Sequence, residues 1–190
     1  MKRTSGFFYE NSNLKVACLC TAIFVAYLVV VMKHQATGFE ISNSNISSLG
    51  MTFGFNEADI LAFFNARTDR MVDAYINFNR IWDTFFGLIY GLMYVVWLSV
   101  LFKPFSKKVG FINLIPLLQV LFDWLENYTL GFLAQQYLLD GAITPYMAVL
   151  ASYFGMIKWT FSGFTYSLII LGMSLLIARF FKTKGVVRYL

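Results

Sequence analysis

The sequence predicts an all-α integral membrane protein, an up-down bundle of four transmembrane helices with a short helical extracytoplasmic segment. Three observations carry that expectation. The chain is 58% hydrophobic and only 13% charged, about half the charged share of a soluble domain. Four apolar stretches, near residues 16–32, 81–102, 111–133 and 157–179, each approach the roughly 17 to 25 residues that a span requires. The basic residues follow the alternation of those stretches: Lys2, Arg3 and Lys15 precede the first, Lys103, Lys107 and Lys108 join the second to the third, and Arg179, Lys182, Lys184 and Arg188 follow the fourth. By the positive-inside bias both termini are expected in the cytoplasm, with a bacterial inner membrane as the host. The net charge of +5 is thereby explained by topology, and no nucleic-acid partner is expected.

The first stretch is long for a signal-peptide core, and His34 spoils the small-residue rule for a cut after Ala36, so it reads as an uncleaved anchor. Its two cysteines, Cys18 and Cys20, stand two apart on a helix and cannot share a face, which makes a disulfide between them implausible. His34 is the sole histidine, so a histidine-based triad or zinc site within one chain is excluded, and no cofactor or metal is expected.

Residues 33–80 form the extracytoplasmic segment. "TGFEISNSNISSLG" reads as loop and holds the pattern Asn45-Ile46-Ser47, a glycosylation acceptor only in a eukaryotic secretory pathway. Asn56 then offers a helix N-cap with Glu57 and Asp59 in the first turn. A second helical run starts near Thr68 and feeds into the second span, with Met71, Tyr75, Phe78 and Trp82 recurring on one face. Such helices either anchor the bundle at the interface or cover its outer mouth. The short links "KPFSKKVG" and "LLDGAITP" make successive spans antiparallel neighbours. The stretch from Tyr146 to Phe181 is about 54 Å long if wholly helical, so it must project or bend, with Gly155 and Gly163 as candidate bends.

Polar residues inside the spans are the candidate functional residues. Asp123, Glu126 and Asn127 stand at i, i+3 and i+4, giving the third span one polar face extended by Gln119. The second span presents Asp83, Tyr90, Tyr94 and Trp97 on a stripe, and the fourth presents Lys158, Ser162 and Thr165. Counting rise from the cytoplasmic ends puts Asp123 and Tyr90 near mid-membrane, both at about 18 Å, and Asp83, Glu126, Asn127 and Lys158 in the outer third. A charge at the centre of a span costs about 2.5 to 3.5 kcal/mol. Lys158 is therefore expected to pair with Glu126 or Asp83, leaving Asp123 neutral and hydrogen-bonded to Tyr90 or Gln119. Alternatively, Lys158 and Asp83, beside Trp159 and Trp82, snorkel to headgroups, and Asp123, Glu126 and Asn127 form a purely structural interhelical clamp.

The segments "FGFNEADILAFF", "DAYINFNRIWDTFFGLIYGLMY", "DWLEN" and "IKWTF" resemble a group of small bacterial membrane proteins with four spans. That resemblance singles out Tyr75, Asp83, Tyr90, Asp123, Glu126, Asn127 and Lys158 and implies no chemistry. The layout alone is also similar to sterol-isomerase-like proteins, whose catalytic histidine has no counterpart in these spans.

Function is thereby narrowed to a few classes. The leading expectation is a non-enzymatic protein that binds a membrane lipid or other amphiphile at Asp83, Tyr90, Asp123, Glu126, Asn127 and Lys158, with Gln119, Tyr75 and Ser162 in secondary roles and no catalytic residue assigned. The alternative is an accessory or assembly subunit, with a membrane-protein partner or a homo-oligomer, in which the polar cluster is structural. A lipid-modifying enzyme or a proton conductor stands further off, because the cytoplasmic half of the bundle is nearly devoid of ionisable groups.

Overall fold

The computed structural model describes residues 2–41 and 48–187, the side chains at 107–108 and 182–187 excepted. Those residues are mostly helical, with no strand among them. The architecture is set by three helices long and apolar enough to cross a membrane, Leu14–Ala36, Asp69–Phe105 and Pro145–Phe181, and by a fourth long helix, Pro116–Asp140, made less apolar by its own Asp, Glu, Asn and Gln residues. We number the principal helices α1 (Lys2–Asn11), α2 (Leu14–Ala36), α3 (Glu57–Asn65), α4 (Asp69–Phe105), α5 (Pro116–Asp140) and α6 (Pro145–Val187). The Asn45-Ile46-Ser47 pattern lies outside the described residues.

The predicted run from Thr68 into the second stretch is observed, and two later boundaries differ from those the sequence predicts. The second apolar stretch is the later part of α4, whose amphipathic first turns begin at Asp69 and pass through a π-helical turn, Phe78–Trp82, without a break. The third begins at Pro116 rather than Phe111, because proline lacks the N–H that an interior position needs and suits a first turn. It runs on to Asp140 and stops at Gly141, whose φ of +67° is open to glycine without strain. The fourth is unbroken through Gly155 and Gly163, so neither is a bend.

Helix α5 is the hub, packing most extensively against α6 and also against α4. Glycines permit the close crossings: a Cβ on Gly91 would collide with Val120, and one on Gly87 would lie 2.8 Å from Trp124 Nε1. By contrast, α2 packs on α4 and leaves nearly all of its apolar length uncovered by the chain. Cys18 and Cys20 are free thiols on it.

At one end, residues 37–41 and 48–78 fold into a cap. Asn56 closes a capping box with Asp59 at the start of α3. An aromatic cluster of Phe39, Phe63, Phe64 and Tyr75 then packs on Leu130, Leu133 and Ala134 of α5 and on Ala148 and Ala151 of α6. Arg67, unremarked by sequence reasoning, is buried there with no carboxylate at ion-pair distance among the described residues. It donates from Nε to Phe39 O at 2.8 Å and from Nη1 to Phe63 O at 2.6 Å, and its guanidinium lies 3.4 Å from the Phe63 ring centroid. Burial pushes its pKa below the usual arginine value. At the opposite end α1 docks through a node centred on fully buried Asn113, where Ser5 Oγ donates to Asn113 Oδ1 at 2.6 Å and Asn113 Nδ2 donates to Ser99 Oγ at 2.9 Å.

Replacing Arg67 by Met leaves two buried carbonyls without their donors and is expected to cost about 2 to 3 kcal/mol. Hydrogen exchange across residues 57–77 is expected to accelerate while the Ser99–Asn113 end keeps its protection. Unchanged protection in the cap would show that Arg67 does not hold it.

Candidate functional site

The spacing on α5 places Gln119, Asp123, Glu126 and Asn127 on the buried face of the bundle. From α6, Lys158 enters the same space with only 7% of its surface exposed. Its ammonium pairs with Glu126 Oε2, lies 3.4 Å from Asp123 Oδ1, and donates to the carbonyl of Gly50 in the cap at 3.0 Å. Three N–H donors thus meet three acceptors on two elements other than its own.

The surroundings make this approach possible. Gly155, about one turn before Lys158, faces Glu126 so closely that a Cβ there would lie 2.5 Å from Oε1. The predicted bend is therefore a contact site for a buried carboxyl. Gly54, with φ of +84°, sets the non-helical cap segment against α6, where Ser152 Oγ accepts from Phe55 N at 3.0 Å. Asn127 Nδ2 donates to Asp83 Oδ2 at 2.9 Å and ties α5 to α4.

Of the two pairings the sequence predicts for Lys158, Glu126 is realised, while the hydrogen bond to Asp83 Oδ2 comes from Asn127. The expected separation of Asp123 from Lys158 does not hold. The long lysine stem reaches across a helical turn, so one ammonium serves both carboxylates of α5. Gln119 Oε1 does not make the hydrogen bond expected with Asp123 and is buried without a partner among the described residues. The Tyr90 hydroxyl faces Asp123 as expected, just outside strict hydrogen-bond geometry. Lys158, being buried, does not snorkel, and neither does Asp83, which Asn127 holds from within.

A cavity of about 540 Å³ adjoins this cluster. Its deep wall carries Asp83, Tyr90, Gln119, Asp123, Lys158 and Ser162, and Tyr75 and Asn79 line it toward the cap. Cap residues Phe39, Glu40, Gly50 and Met51 border one end, while Phe24, Leu28 and Val29 of α2 face Trp159 and Tyr166 of α6 along the side. Glu126 and Asn127 are absent from the lining: they stand behind it, holding Lys158 and Asp83. Aromatic rings run across the cavity wall from Phe24 through Phe86, Tyr90 and Tyr94 to Tyr166, with successive centroids 5.4 to 6.0 Å apart. Trp97, expected on the same stripe, instead donates to Thr21 Oγ1 at 2.9 Å and lines a separate apolar groove.

Sequence reasoning missed Asn79 and the π-helical turn that presents it. The signal was present as the run Tyr75, Asn79, Asp83 at intervals of four. The turn leaves Trp82 O to accept from Tyr27 Oη at 3.0 Å, which ties α2 to the same edge of the cavity. Chemically, the arrangement offers oxygen acceptors deep in an apolar chamber, with its one buried cation already engaged.

Comparison of the chain with family models, with curated proteins and with solved structures finds no match.

Substituting Lys158 by Met strips two buried carboxyls of their cation and is expected to destabilise the fold by about 3 to 5 kcal/mol. Adding Glu126→Gln to that variant is expected to recover part of the loss, read as thermal unfolding in detergent. A harmless single substitution would contradict the pairing. Gly155→Leu is likewise expected to lower the unfolding temperature, because its side chain must displace Glu126.

Proposed function

We propose that this chain is a four-span membrane protein, with α5 as the fourth crossing and both termini in the cytoplasm, that binds a lipid or other amphiphile without turning it over. The observation that carries this reading is the 540 Å³ cavity, which falls within the roughly 300 to 1,000 Å³ of small-molecule sites. Its lining is divided as an amphiphile is divided. Carboxyl, amide and phenol groups stand at depth, and aliphatic and aromatic side chains of α2 and α6 stand along the side.

The position of α5 supports its reading as a span. Asp123 and Glu126, the carboxyls within its apolar length, turn inward and pair with Lys158, as buried polar groups within a bilayer should, while Asp140 is exposed at the helix end. The loose relation of α2 to α6 supports access from the bilayer, since α2 is held mainly on α4.

A second reading, an accessory subunit of a membrane complex, draws on the uncovered face of α2 and on the apolar groove of about 650 Å³ that Cys18, Ala22, Ala26 and Trp97 help to line. Purification with a stoichiometric protein partner would favour it.

Native mass spectrometry of protein extracted in mild detergent tests the leading reading. A non-covalent adduct of about one amphiphile per chain is expected. Ser162 lines the cavity with its hydroxyl bound to Lys158 O at 3.0 Å, so Ser162→Trp is expected to fill the chamber and abolish the adduct. Equal adducts in both proteins, or none in the wild type, would contradict amphiphile binding there.

A further inference from the structure

The balance of donors and acceptors around the cavity goes one step further than its shape, and the choice of headgroup it implies rests on the amphiphile reading. Five buried polar atoms belonging to cavity-lining residues have no hydrogen-bond partner among the described residues: Asp123 Oδ2, Gln119 Oε1, Tyr90 Oη, Tyr75 Oη and Trp159 Nε1. All but Trp159 belong to residues at least nine-tenths buried. Gln119 Oε1 and an ionised Asp123 can only accept, the phenols can accept or donate, and the Trp159 indole can only donate.

Donors are few on the wall that carries the carboxyls, the free Trp159 indole standing along the side. The Lys158 ammonium has three N–H groups, and three acceptors already use them: Glu126 Oε2, Asp123 Oδ1 and Gly50 O. Asn79 Nδ2 is committed to Tyr75 O at 2.8 Å, and Ser162 Oγ to Lys158 O. A phosphate or carboxylate headgroup arriving here would find the cation spent and carboxyl oxygens facing it. Lys33 is a free-standing cation only at the exposed rim, where Glu40 accompanies it.

Charge points the same way. Asp83, Asp123 and Glu126 are three carboxyls against the single ammonium of Lys158. With one carboxyl protonated the cluster keeps one negative charge, which in an apolar medium is relieved either by a second proton or by a bound cation. Unsatisfied acceptors and missing positive charge are met together by one group, a protonated amine.

We propose that the headgroup bound in this cavity is a primary ammonium, seated against Asp123 and Asp83, with Gln119 Oε1 and Tyr90 Oη as further acceptors and its hydrocarbon chain directed between α2 and α6. A charge-assisted hydrogen bond in a site of low polarity is about twice as strong as a neutral one, so the preference over an uncharged headgroup should be large.

The test is calorimetric titration of the full chain, in nanodiscs of dioleoylphosphatidylcholine at neutral pH, with dodecylammonium, dodecanol and laurate, each corrected for partition into empty nanodiscs. Dodecylammonium is expected to bind at least about tenfold more tightly than dodecanol, and laurate more weakly than either. In Asp123→Asn the preference for amine over alcohol is expected to fall to within about threefold. If that variant does not fold, Gln119→Leu, which removes an acceptor without touching the ion pair, is expected to narrow the preference about threefold. Dodecanol or laurate binding as tightly as the amine would overturn the amine assignment while leaving the amphiphile reading in place. No saturable binding of any of the three would overturn both.

Discussion

The fold turns on a single buried ammonium. Lys158 gathers a carboxylate pair from α5 and a backbone carbonyl from the cap, and it does so from α6, so three parts of the chain meet at one nitrogen. In an apolar interior, removing such a partner is costly because the charges left behind have nowhere to go. The helices are shaped around that fact. Gly155 lets α6 approach Glu126, while Gly87 and Gly91 let α4 approach α5, which brings Asp83 within reach of Asn127.

Once the cation is committed inward, the rest of the polar wall is left with a surplus of acceptors. Glu126 and Asn127 serve as props behind the wall, and Asp83, Asp123, Gln119 and Tyr90 form its face. The cap is held by Arg67 through carbonyls and a ring rather than through an acid, and its Ser48–Phe55 stretch meets the same chamber through Gly50 and Met51. Structure and proposed function are thus joined at one place: the ion pair that ties α5 to α6 would, on the proposed function, also decide which headgroups the cavity accepts.

Much of this was legible in the residues. The apolar stretches, the Asn56 cap, the continuity of the Thr68 run into the second stretch, and the single polar face of α5 all follow from composition and helical period. The Lys158–Glu126 pair also followed, since depth and spacing left the lysine few partners. Depth counting could not foresee that Lys158 would also reach Asp123, because the side chain's own length exceeds the rise it must cross. Nor could it foresee Gly50, since a backbone carbonyl carries no mark in sequence. The docking of α1 through Ser5, Asn113 and Ser99 depends on residues 14 to 108 positions apart, and none of the three is unusual where it stands. Arg67 carries no mark in sequence either, because its partners are the backbone carbonyls of Phe39 and Phe63.

An experimental density map of the protein in a lipid nanodisc bears most directly on the claim that this polar wall serves a ligand. Elongated density is expected between α2 and α6, ending within hydrogen-bonding distance of Asp123 and Asp83, with Lys158 still turned toward Glu126. A chamber closed by α2 against α6 and filled by its own side chains, or Lys158 turned away from Glu126 toward the bilayer, would contradict it.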